Sequence, residues 1–191
     1  VAVSEPPETQ AVGQPETPQP HYSEQILTQL AHQYGWTIND TQTASKTYAN
    51  ANPADGALNP NGNLTLHARF DESHRYLALE SGWDTVFDID ARDVPPPVAA
   101  QVLNQFAEQA AFNTPFERGD VETTIRQETG KYYLSQGLQQ QGYEPSANNT
   151  MWAKSISDDT IRVALSPNEA TVSYASPHTE PQLQKFSIQD V

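Results

Sequence analysis

Two stretches of this chain alternate apolar and polar residues with a period of two, and each is soon followed by a partner stretch. Leu64, Leu66, Ala68 and Phe70 alternate with Thr65, His67 and Arg69, and Leu77 and Leu79 come next. Side chains along a strand point to opposite faces in turn, so such a run buries one face only. A two-residue turn at Glu72-Ser73 pairs Ala68 with Leu77 and Leu66 with Leu79, which keeps both apolar sets on that face. The second stretch, Ile161, Val163 and Leu165, turns at Pro167-Asn168 and returns through Ala170, Val172 and Tyr174. Leu165 opposite Ala170 and Val163 opposite Val172 is the register that aligns its faces. Hairpins with one apolar face need a second layer, and the sequence offers helices for it.

Ser23 reads as an N-cap with Glu24 in the first turn. Ile26, Leu27, Leu30, Ala31 and Tyr34 follow at helical spacing, and Gly35 ends the run as a left-handed cap before Trp36 and an extended segment at Ile38. Residues 49–62 are dense in turn formers, including Asp55-Gly56 and Asn61-Gly62, and predict a surface loop. A strand is expected over Asp84–Asp90. A second helix follows Pro95, Pro96 and Pro97, striped by Val98, Val102, Leu103, Phe106 and Ala110. Tyr133, Leu134 and Leu138 then precede Gly142-Tyr143 much as Ile26, Leu27 and Ala31 precede Gly35-Trp36. Further strands are expected over Met151–Ile156 and Leu183–Ile188.

The expected organisation is a Pro-rich acidic arm or linker at 1–21, a helix-strand-hairpin-strand-helix unit at 22–112, an irregular connection at 113–127 carrying Pro115 and Gly119, and a second helix-plus-meander unit at 128–191. The class is α+β, with antiparallel sheets each covered by a helix, in two tandem units of one pattern. The arm holds five prolines (Pro6, Pro7, Pro15, Pro18, Pro20) and three glutamates, a composition that favours extended backbone and buries little.

Charge narrows the partners. The chain carries 24 acidic and 10 basic residues, a net charge of −14. Its lysines are Lys46, Lys131, Lys154 and Lys185, and they form no cluster. Nucleic-acid binding and direct lipid binding by the folded part are not expected, because both need a cationic face. The absence of cysteine excludes disulfides, thiolate metal sites and cysteine nucleophiles. No run of about 18 apolar residues is present, so no spanning helix is expected.

Catalytic signatures are missing. GxGxxG, GxxxxGK[ST], GxSxG and HExxH do not occur. His67 and His74 flank one hairpin, but two histidines without a carboxylate cage make a poor zinc site. Asp84, Asp88, Asp90 and Asp93 form the densest acidic run, and a straight strand does not wrap a calcium ion. Their expected place is a solvated face that blunts sheet pairing. Trp36 is expected in the core and Trp83, beside Gly82, at the surface. No catalytic, cofactor-binding or metal-binding residue is assigned, and no cofactor is expected.

An extended arm ahead of helix-and-meander units is similar in plan to the accessory lipoproteins of bacterial envelopes; the likeness is of plan alone and carries no residue. It implies an extracytoplasmic place, periplasmic or secreted, with a membrane tether upstream of Val1. The leading expectation is therefore a non-enzymatic binding or assembly module for a protein partner, engaged through the arm and the sheet edges, above all Leu183–Ile188 with Lys185. A structural subunit of a capsid, filament or large complex and a carboxylate-dependent hydrolase remain the alternatives. The arm gives a direct test. Removing residues 1–21 is expected to shift the melting temperature by less than about 5 °C, and a larger loss, worth roughly 1 kcal/mol or more, would show the arm to be packed.

Overall fold

The computed structural model describes residues 21–53, 61–73, 75–82, 84–146 and 148–187. The arm before His21, the Asp55-Gly56 turn, His74, Trp83 and the residues from Ile188 onward lie outside the described residues. The fold is α+β, and the described residues form three helices and two antiparallel five-stranded sheets. The first half runs α1 (Tyr22–Tyr34), β1 (Thr37–Ile38), β2 (Thr43–Tyr48), β3 (Leu64–Asp71), β4 (Tyr76–Ser81), β5 (Asp84–Asp90) and α2 (Pro96–Ala111). The second runs α3 (Arg118–Gln140), β6 (Glu144–Pro145), β7 (Met151–Ile156), β8 (Asp159–Leu165), β9 (Glu169–Ser176) and β10 (Thr179–Ser187). Each sheet is a simple meander in chain order, β1 to β5 and β6 to β10. Each strand pairs with the one before it, mostly across short turns, with residues 49–63 as the longer connection between β2 and β3.

Helix α1 starts one residue before the expected cap. His21 takes the N-cap place, its carbonyl accepting from Gln25 N–H, and Ser23 is buried in the first turn. The Ser23 N–H, one of the amides a helix start leaves without an internal partner, donates to Glu72 Oε2 across the hairpin turn. A tertiary carboxylate thus does part of what a capping side chain would do. Gly35 ends the helix in the left-handed region as expected, at φ +74°.

The β3–β4 register differs from the expected one by two residues. Ala68 faces Leu79 and Phe70 faces Leu77, across a connection that begins after Asp71 and ends at Tyr76. Both registers keep the same face inward. The longer turn wins because it sets Phe70 against Leu77 and buries both, where the shorter one would oppose Phe70 to Arg75. Arg75 takes the left-handed backbone that closes the turn, at φ +56°. The β8–β9 register is the expected one.

Residues 113–127 are irregular only as far as Glu117. Helix α3 starts at Arg118, with a reciprocal cap between Glu117 and Asp120, so most of the expected connection is helix. Strands β2 and β6 are present in the sheets although the sequence does not predict them. The main core lies in the first half, where α1 and α2 cover β2 to β5 and where Val121 of α3 is also buried. Full burial of side chains such as Leu66, Leu79 or Leu103 stabilises by about 1.5–3 kcal/mol each. Among the described residues no helix is long and apolar enough to cross a membrane.

Tyr22 fastens α1 to the β5–α2 connection, its hydroxyl donating to the Ala91 and Val94 carbonyls. Burial pushes its ionisation up from 10.0 to about 12, opposed by the Arg75 guanidinium, which lies 4.7 Å from the ring centre. The folded state therefore holds this proton more tightly than the unfolded chain does. That stabilisation is complete below pH 10 and is lost as pH rises toward about 12. Urea unfolding across pH 8 to 12 is expected to show a decline beginning near pH 10. Tyr22→Phe should be less stable at pH 8 and show a shallower decline, and an unaltered slope would mean that Tyr22 does not carry this linkage.

Candidate interaction surface

Both sheets receive their leading helix in the same way. After α1, the Gly35 and Trp36 amides return to the Leu30 carbonyl, and Lys46 Nζ from β2 donates to Tyr34 O at 2.7 Å. After α3, Gly142 is left-handed at φ +85°. The Tyr143 amide returns to Leu138 O, and Lys154 Nζ from β7 donates to Gln141 O at 2.6 Å. The registers agree: Thr37 faces Ser45 beside Lys46, and Glu144 faces Ala153 beside Lys154. A lysine cation on the last carbonyls of a helix also suits the negative end of its dipole.

The covers differ. On the first sheet, α1 and α2 lie together, and Asn104 Oδ1 of α2 accepts from Trp36 Nε1 at 3.0 Å and from Lys46 Nζ at 3.5 Å. Phe87 of β5 meets Phe106 of α2 and Phe116 edge-on, at 6.1 and 5.9 Å between ring centres. On the second sheet the buried set is Trp152, Val163, Leu165 and Ala170, with α3 contributing only Leu134 and Leu138. Beside α3 the described residues leave the inner face open as a groove of about 520 Å³, lined by Val163, Leu165, Val172, Tyr143 and Phe186. Phe186 is 47% exposed there. Strand β10 forms the sheet edge, with Leu183 66% exposed on it.

A larger cavity of about 650 Å³ lies between α3 and the segments at Asp93-Val94 and Pro167. Among the described residues its charged lining groups are Asp93 and Arg126, one of each sign.

Other singled-out residues fall into ordinary roles. His67 is exposed on β3. Asp84, Asp88 and Asp90 lie on β5, the long edge strand of the first sheet, where charge discourages pairing with another chain. Asp88 reaches Arg118 at 3.4 Å, and hydrogen bonds from Arg92 hold the Asp90 carboxyl below its usual range. Among the described residues no group of three or more histidines or carboxylates is placed to hold a metal ion. Trp36 is in the core as expected. The open face escaped sequence reasoning, because the strand pattern says which residues face inward but not how many helices lie on them. No family model, curated protein or solved structure matches this chain.

Trp152 sits in the second core with its indole Nε1 buried and without a hydrogen-bond partner among the described residues. Such a donor costs about 1–3 kcal/mol, and an apolar group of similar shape avoids the cost. Trp152→Phe is therefore expected to melt within about 3 °C of the parent or above it. A loss of about 8 °C or more would show that the ring volume outweighs the stranded donor.

Proposed function

We propose that this protein is a non-enzymatic binding or assembly module for a protein partner, working in the bacterial envelope or outside the cell. The observation that carries the reading is the contrast between the sheets. The first is roofed by two helices, while the second leaves an apolar groove and an exposed edge strand side by side. Uncovered apolar surface rimmed by polar groups is the usual mark of an interaction site. The edge strand favours the same side of the molecule. Among the described residues β10 pairs only with β9, and Leu183 and Phe186 add apolar contact at its two faces. An extracytoplasmic place rests on the Pro-rich arm and the likeness of plan described above.

The test is quantitative capture from the native source with the full chain and with Phe186→Glu, a change at a half-exposed site that should leave folding intact. The reading expects one polypeptide recovered in near-stoichiometric amount by the parent and about tenfold less by the variant. Equal recovery by both, or no polypeptide above the background of an unrelated acidic protein, would overturn it.

A further inference from the structure

We infer that the groove on the second sheet receives an amphipathic helix bearing amide or acidic side chains beside its apolar stripe, docked next to α3 as α2 docks next to α1. The inference rests on the binding-module reading and names the kind of partner. Residue by residue, the two sheets present the same frame. Lys154 stands where Lys46 stands, one residue beyond the pair that joins the short first strand to the second. Trp152 opposite Val163 takes the place of Ala44 opposite Ala68. Val172 takes that of Leu79, and Phe186 opposite Ala170 that of Ile89 opposite Leu77. In that frame the groove occupies the position that α2 fills on the first sheet.

The polar groups agree with the apolar ones. On the first sheet a single amide of α2, Asn104, accepts from both Trp36 and Lys46. On the second sheet Tyr143 and Lys154 stand at the matching places, the ammonium 5.7 Å from the ring centre, and the described residues supply no further helix to lie across them. Lys154, one of only four lysines in a chain of net charge −14, lies on the inner face at α3's end, where its ammonium donates to Gln141 O. A helix with acceptors on its flanks suits that cation, and α2 itself, whose only charged residue is Glu108, has this character. The net charge opposes a second copy as the occupant. One difference sets specificity. Gln184 faces Val172 where Phe87 faces Leu79, so the occupant carries a polar residue at the place of Phe106.

The probe is a synthetic peptide of residues 95–112 with Phe106→Gln, titrated into the full chain and followed by anisotropy and by amide chemical shifts. Expected is saturable binding on the order of 100 μM or tighter, with shifts centred on Val163, Val172 and Phe186. Phe186→Glu should weaken it about tenfold or more, and Lys154→Gln should weaken it more at low salt than at high salt. Unchanged melting temperatures of both variants exclude unfolding as the cause. No saturation by about 1 mM would overturn the inference, as would binding indifferent to Phe186→Glu, which would place the peptide on the first sheet. Shifts confined to the outer edge of β10 would identify a strand as the occupant, and a self-associated chain that the peptide does not dissociate would identify a second copy; either result overturns the inference. If native capture depends on Phe186 while the helix fails to bind, the binding reading stands and the helix inference alone falls.

Discussion

An antiparallel sheet with one apolar face is stable only under a cover, and this requirement organises the whole molecule. The first sheet meets it with two helices whose stripes interlock over Leu66, Phe70, Leu79 and Ile89. Everything that positions those helices serves the cover: the left-handed Gly35, the lysine on the helix end, the Tyr22 hydroxyl on the β5–α2 connection, and Asn104 between Trp36 and Lys46. The second sheet meets the same requirement in part, with one helix and a smaller set of buried side chains.

The elements legible in the sequence were those whose apolar residues repeat strictly. Strands β5 and β7 fall at the expected bounds, the end of α1 at the expected glycine, and the β8–β9 register at the expected pairs. Strand β2 was not legible, because Thr-Ala-Ser-Lys-Thr-Tyr offers only Ala44 and Tyr48 to the core and reads as loop. The first turns of α3 were hidden for a related reason. Only Val121 is buried along that helix, Gly119 argues against a helix, and the cap uses Glu117 with Asp120 in place of a hydroxyl. The β3–β4 register depended on whether Phe70 found an apolar partner, which a rule favouring the shortest turn does not ask.

The candidate surface was half legible. The exposed terminal strand with Lys185 could be read from its sequence, and β10 is an edge strand. Its start lies four residues earlier than expected, at Thr179, and Leu183 and Phe186 belong to opposite faces. The groove beside it is a property of layers far apart in sequence, and no local pattern encodes it. It emerges when the two sheets are compared strand by strand.

Helix α3 has a consequence for how the molecule comes apart. Its 23 residues span roughly 34 Å; Val121 is seated in the first core, and Leu134 and Leu138 roof the second. The second sheet can thus open while α3 stays anchored by its first turns, but loss of the first core unseats the helix that roofs the second among the described residues. Unfolding is therefore ordered rather than symmetric: the second half is the outer, earlier-exchanging unit, and the first half sets the ceiling for both.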